Sequence, residues 1–405
     1  MISVDEYRES ILNGLAPLLP IELPLMECHG CVLAEDVTAP WPLPSFDNSS
    51  MDGYAVIAAD VANASKENPV TLTVIDDVPA GFRATEVVTS GNCIRIMTGA
   101  PMPDGADCVV PVENTDGGVS EVVITQGSEA GAYIRRIGED VLVGDEVMRA
   151  GTLISARHLA VIAAVGRGTL KVIPKPRVAV ISTGSELVEP GTKLNKGLIS
   201  DSNSFLLVAA ATEAGAQAYR VPPVQDDAEA FRTAVFDQLH RADLILTSGG
   251  VSMGAYDTVK EVFTELGTVQ FLKVAMQPGM PQGHGHVGED KVPIITLPGN
   301  PVSSFISFQN FVRPAIARLR GLEAAARPTV RVTIDAAMTS PLNKRQFARG
   351  KFVGANVVTP VGAGQGSHVV GGLAASDCLI VIPEGIDNVA AGSLVDVVDL
   401  RGDIQ

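Results

Sequence analysis

Three carboxylates and three loops stand out in this 405-residue chain as able to do chemistry. Glu186 follows Ser182-Thr183-Gly184, Asp226 or Asp227 precedes a helical segment, and Asp257 closes the loop TSGGVSMGAYD, which contains Ser248, Gly249 and Gly250. Glycines there let backbone approach a ligand without Cβ interference, and a helix start after such a turn aims N–H groups at an anion. Carboxylates gathered beside phosphate-binding turns are the usual way to hold Mg²⁺, through one or two oxygens plus the substrate's phosphates. The third loop, Pro298-Gly299-Asn300-Pro301 with Ser303 and Ser304 after it, fixes two φ angles and offers a stiff support at a helix start. Each feature alone has a plainer reading: a tight turn, or an N-cap for Asp226, Asp227 or Asp257. Their coincidence points to one site for a phosphorylated ligand.

These loops need a sheet to bring them together. Residues 176–320 alternate apolar, β-rich runs (178–181, 218–221, 243–247, 269–274, 292–297) with helical segments. The helix through FLLVAAATEA starts at Ser200, Asp201 or Ser202 and stops at Gly215; the next has Phe231, Val235 and Leu239 on one face. Another presents Val259, Phe263 and Leu266 and ends at Gly267, and a last one runs to about Leu319. Such alternation predicts a doubly wound, mostly parallel α/β domain, whose ligands bind outside the carboxyl ends of the strands. The N-terminal segment spaces Val4, Tyr7, Ile11, Leu12 and Leu15 as one helix face. The fold class expected is α/β plus β-rich domains. Residues 1–20 join 176–322 in the α/β domain, 21–43 join 139–175 in a small mixed domain, 44–138 form a β-rich domain, and 327–405 form a C-terminal β-barrel.

Composition narrows the partners. A net charge of −16 is the wrong sign for nucleic-acid backbone contacts, so any anionic ligand must be held by local N–H groups, a few basic side chains and a metal. No apolar run approaches the roughly 20 residues that span a bilayer, and the acidic N-terminus carries no signal-peptide pattern. Five scattered cysteines suit reduced thiols in a cytoplasmic protein. Cys28-His29-Gly30-Cys31 has no second pair at zinc-site spacing, and His284-Gly285-His286 has no third ligand nearby, so neither reads as a metal site.

Upstream, the segment from Ser45 to Tyr54 packs Asp47, Asn48, Ser49, Ser50 and Asp52 between apolar stretches, and polar turns recur at Thr98-Gly99-Ala100 and Arg135-Arg136-Ile137-Gly138-Glu139-Asp140. Taken in order, FDNSSMDGYA, IRIMTGAP, RRIGEDV, ISTGSEL, TSGGVSMGAYD and LPGNPVSSF resemble the molybdopterin molybdotransferase family, of the bacterial MoeA and gephyrin E-domain type, across essentially the whole chain.

That resemblance implies an elongated homodimer that inserts molybdate into adenylylated molybdopterin with Mg²⁺-dependent release of AMP. It carries over Glu186, Asp226 and Asp257 as metal-associated acids, and Asp52, Thr98 and Asp140 as residues completing the site from the other subunit. It also implies a molybdate pocket with Ser303, Arg349 and Ser367, and a molybdopterin adenylyltransferase as upstream partner. The chain departs from the family at Gln277-Pro278-Gly279-Met280-Pro281, where many members carry Lys-Pro-Gly-Lys-Pro. Two lost cations would each remove charge-assisted contacts of about 1.5 to 3 kcal/mol. The alternatives are therefore a molybdopterin-holding scaffold with weak or no transfer, or an adenylyltransferase built on the same α/β domain.

Overall fold

A computed structural model describes residues 1–249, 262–263, 267–362 and 365–402. The chain forms two compact units, Leu23–His29 with Glu35–Leu170, and Met1–Glu22 with Gly30–Ala34 and Lys171–Gln405.

The first unit is built on a five-stranded sheet of β1 (Gly53–Val56), β2 (Val70–Val78), β3 (Asn92–Ile96), β4 (Cys108–Pro111) and β5 (Glu121–Ile124), in the order β4-β1-β3-β2-β5. Strand periodicity sends successive residues to opposite faces, and here both faces are covered. Tyr54, Cys93 and Val110 enter one apolar cluster, while Ala55, Ile94 and Val109 enter another. In the same unit Glu146–Met148 pairs with Val37–Thr38, and a helix over Ala156–Ala164 starts at Ser155.

The second unit opens with α1 (Val4–Asn13), whose Ser3 and Glu6 form a reciprocal capping box and whose Val4, Tyr7 and Ile11 are buried. Its sheet contains β6 (Arg177–Thr183), β7 (Gln217–Val224), β8 (Leu244–Ser248), β9 (Gln270–Lys273), β10 (Pro281–Val287) and β11 (Val292–Leu297). The order is β7-β6-β8-β11-β10-β9; the first three pairings are parallel and the last two antiparallel. Val178 and Val180 enter one core and Ala179 and Ile181 the other, so the sheet is doubly wound. The first core includes α2 (Asn203–Glu213), the second α3 (Ala228–Phe236). The helix expected beyond Asp257 is described only at Val262 and Phe263, both buried; the rest of it, with Asp257 and Gly250, lies outside the described residues.

Strand β10 is absent from the sequence expectation because PQGHGHV lacks β-branched residues before its last position. Tertiary packing decides it: a Cβ on Gly283 would sit 2.2 Å from the Thr296 hydroxyl on the neighbouring strand. The long C-terminal helix of the domain also differs from a plain α-helix. It runs as α4 (Pro301–Ser307), a π-turn over Phe308–Val312, and a further α-segment over Arg313–Leu319. Pro314 has no N–H for the regular ladder, and the wider turn absorbs that defect.

Strands β12 (Thr329–Ile334), β13 (Arg345–Gly354), β14 (Val357–Pro360), β15 (Cys378–Ile382) and β16 (Leu394–Asp399) pair in the order β13-β14-β12-β16-β15, and β15 pairs back to β13. The result is the closed barrel expected of the C-terminal segment, with Ile334, Ala348, Val358 and Ile380 inside. Met276–Gln277 adds to β13 in parallel.

Phe311, on the π-turn, is fully buried and meets Tyr7 of α1 edge-on with centroids 4.8 Å apart. Phe311→Ala is expected to cost about 3 to 5 kcal/mol, read as a lowered urea midpoint of the unit containing it. A loss below about 1 kcal/mol would show that this contact does not hold α1 in place.

Candidate functional site

Strands β6, β8 and β11 end side by side at their carboxyl edge, so the loops following Thr183, Ser248 and Leu297 share one cavity of about 550 Å³. Thr183, Gly184, Ser248, Gly249, Gly299, Asn300 and Pro301 line it, as do Glu186 and Asp226. Gly249 has φ +98°, and a Cβ there would fall 2.5 Å from the Thr183 carbonyl oxygen, so only glycine lets these two loops approach. Ser182 lies behind the wall, donating to buried Asp201.

Residue spacing left Asp226 and Asp227 open and the resemblance carried over Asp226; the structure gives the two acids different places. Asp227 caps α3 by accepting from the Ala230 N–H at 2.8 Å, whereas Asp226 lines the cavity. Asp201 also reaches the cavity, but its carboxylate is engaged by Ser182, by the Ser204 N–H and hydroxyl, and by Arg220. Glu186 and Asp226 are thus the two lining acids not engaged in that network. Both offer hard oxygen donors suited to Mg²⁺ completed by substrate phosphates. Among the described residues, which do not include Asp257, no three His, Cys, Asp or Glu side chains could share a metal. His284 and His286 serve packing instead. His284 meets Tyr7 edge-on, burial brings it down to about 4, and His286 contacts the Gly14 carbonyl at 3.0 Å.

Asn203 carries no functional signal in the sequence. Its Nδ2 donates to the Ser248 hydroxyl at 2.7 Å and to the Gly299 carbonyl at 2.6 Å, tying two of the three loops together. Its Oδ1 is buried without a protein partner among the described residues, leaving a strong acceptor at the cavity wall. A polar residue at a helix start looks like a cap, and no sequence signal separates that from a loop tie.

A second cavity, of about 430 Å³, adjoins the first and shares Asn300 and His368 with it. Gln277, Met280, Ser303 and Ser367 line it; Pro298 contributes from the stiff loop, and Lys344 from the turn before β13. Asn300 donates to the Ser367 hydroxyl at 3.0 Å, and the Val302 N–H donates to the Ser367 carbonyl at 3.2 Å. Arg349, expected in this pocket, lines neither cavity. It is buried in the wall, its guanidinium donating to the Val369 carbonyl and its N–H to Gln365 Oε1 at 2.8 Å. Its long reach is spent on holding the 365–369 loop that presents Ser367.

In the other unit, the segment from Asp47 to Asp52 clamps the two polar turns singled out in the sequence. Asp52 accepts from the Thr98 N–H at 2.7 Å, while the Gly99 N–H donates to the Ser49 carbonyl and the Ser49 N–H to the Ala100 carbonyl. Asp47 accepts from the Ile137 N–H and from Arg136, both at 2.7 Å, and Asn48–Ser49 pairs with Ile134–Arg135. The Asp140 N–H donates to the Leu43 carbonyl at 3.0 Å. These bonds hold Asp47 and Asp52 below the usual carboxylate range, chiefly through the Ile137 and Thr98 N–H groups respectively.

The fold and the first cavity define a class: proteins that bind a phosphorylated ligand at the carboxyl edge of a doubly wound sheet, here backed by a barrel. Residues 2–166 match the family description "MoeA N-terminal region (domain I and II)", 179–318 "Probable molybdopterin binding domain", and 331–400 "MoeA C-terminal region (domain IV)". The chain is 45% identical over 407 residues to molybdopterin molybdenumtransferase 2 of Mycobacterium tuberculosis, covering 99% of this chain and 100% of that one. It is 35% identical to the Haemophilus influenzae molybdopterin molybdenumtransferase, covering 98% of each. A crystal structure of a molybdopterin biosynthesis MoeA protein from Pyrococcus horikoshii superposes with a TM-score of 0.78 at 30% identity, covering 99% of this chain and 100% of that one. This chain belongs to the molybdopterin molybdenumtransferase family.

The Asp47 clamp has a pH signature. A depressed carboxyl pKa contributes stability that is present above the unfolded value, near 3.8, and is lost as pH falls through the folded value. Amide-exchange protection at Ile137 is therefore expected to fall as pH drops below about 4, once corrected for intrinsic exchange. Asp47→Ala should remove that protection already at neutral pH; unchanged protection in this variant would show that the carboxylate does not hold the turn.

Proposed function

We propose that this chain, a molybdopterin molybdotransferase, inserts molybdate into adenylylated molybdopterin and releases AMP, giving molybdenum-molybdopterin. The observation that carries this reading is the pairing of two adjoining cavities of opposite character. One holds Glu186 and Asp226 beside glycine loops, and the other offers Ser303, Ser367, Gln277 and Lys344 with no carboxylate among its described lining residues. A substrate with a metal-bound pyrophosphate at one end and an oxyanion reaction at the other requires that division.

Mg²⁺ held by Glu186 and Asp226, with Asp257 as the third acid expected from the sequence, would neutralise the pyrophosphate and the leaving phosphate. The protein's own part is positioning. Asn203 keeps the Ser248 and Gly299 loops in register and presents Oδ1 to a ligand donor. Thr183, Ser248 and Asn300 offer polar groups at the cavity wall, and the Pro298–Pro301 loop, stiff by composition, places Asn300 at the boundary of the two cavities and supports Ser303 in the second. Ser303 and Ser367 supply hydroxyl donors for a tetrahedral oxyanion, with Arg349 fixing the loop of Ser367.

The further elements of the proposal are a cytoplasmic homodimer, the four-domain division set out above, and a molybdopterin adenylyltransferase as supplier of the substrate. Asp52, Thr98 and Asp140 would complete the site from the second subunit. Support for that role is the dense clamp that fixes the Asp52 carboxylate on the Thr98 N–H, more hydrogen bonding than a solvated turn needs.

With adenylylated molybdopterin, Mg²⁺ and molybdate supplied, AMP release stimulated by molybdate and reconstitution of an apo-molybdoenzyme are expected. No stimulation at millimolar molybdate would overturn the reading. Glu186→Gln and Asp226→Asn are each expected to lower turnover by about a hundredfold or more, with unchanged circular dichroism; near-wild-type turnover in either variant would remove that residue from the metal site.

A further inference from the structure

We propose that Lys344 supplies the fixed positive charge of the oxyanion subsite, in place of the lysines absent at Gln277 and Met280; this rests on the molybdate-inserting function proposed above. In a chain of net charge −16, the 430 Å³ cavity has no carboxylate among its described lining residues, and Lys344 is the one lysine or arginine among them. Any anion entering that space meets hydroxyls, amides, the His368 imidazole and this ammonium group.

The backbone explains why Lys344 is there. The Arg345 N–H donates to the Ala275 carbonyl at 2.9 Å, and Met276–Gln277 pairs in parallel with Arg345–Gln346. The residue before Arg345 is thereby set against the turn that carries Gln277 and Met280. A charge absent from one side of the cavity wall is offered from the turn that leads into the strand paired to it.

The neighbouring cations are committed elsewhere. Arg345 makes two bonds to the Asp5 carboxylate, at 2.9 and 3.2 Å, and a third to Glu384 at 3.3 Å. Arg349 is buried in the wall on the Val369 carbonyl. Lys344 is only half-buried and has no ion pair among the described residues, so its charge is available to a ligand. A lysine serves as a point charge for an oxyanion, needing no bidentate geometry.

The test measures molybdate binding by equilibrium dialysis, and AMP release against molybdate concentration, for the full-length protein. Lys344→Ala is expected to weaken molybdate binding and raise its apparent KM by about ten- to a hundredfold. The KM for adenylylated molybdopterin should stay within about twofold of wild type, since that cavity does not contain Lys344, and Lys344→Arg should retain most of the affinity. Met280→Lys in the Lys344→Ala background should restore binding, because it returns a cation to the same cavity; a merely structural role for Lys344 would not be rescued this way. Molybdate affinity and KM within about twofold of wild type in Lys344→Ala would overturn the proposal, as would a wild-type protein that binds no molybdate at millimolar concentration. Lys344-dependent molybdate binding without any AMP release would uphold this subsite while overturning the proposed reaction.

Discussion

The short parallel pairing of Met276–Gln277 with Arg345–Gln346 is the contact on which the candidate site rests. It joins a turn of the α/β domain to a barrel strand through backbone hydrogen bonds, which do not depend on side-chain identity. Two further contacts extend the seam, Asn300 to the Ser367 hydroxyl and the Val302 N–H to the Ser367 carbonyl. The second cavity thus has one wall from each domain. A preorganised site needs such a rigid frame, since loops left to themselves would pay the ordering cost on binding.

Charge is divided across that frame by giving several acids structural work. Asp201 is buried among two serines and Arg220, and Asp227 is spent as a helix cap, so the lining acids free of such work gather at one end as Glu186 and Asp226. A buried carboxylate without partners would be costly, and the bonds to Asp201 remove that cost. Arg349 plays the complementary part: desolvation lowers its pKa, and its donors are used on loop backbone.

Parts of this were legible in the residues. The alternation of apolar runs and helical segments in 176–320 revealed the doubly wound sheet, and period-two patterns after Arg327 revealed the barrel, because both follow from local geometry and burial of one face. Strand β10 was not legible, since its glycines and histidines are set by what lies opposite them, Thr296 for Gly283 and Gly14 for His286. Asn203 and Lys344 escaped for the same reason: their types are common on any surface, and only their neighbours give them a role.

What the sequence determined by itself was the class of chemistry: glycine loops and carboxylates at strand ends, in an order that resembles one family along the whole chain. Those properties are carried by residue type and spacing. The tertiary structure decided which of two adjacent acids lines the cavity and which caps a helix, that Arg349 supports a loop from within the wall, and that a lysine more than 60 residues from Met280 lines the same cavity as it. Each of those outcomes turns on non-local strand register and burial, which spacing along a chain does not encode.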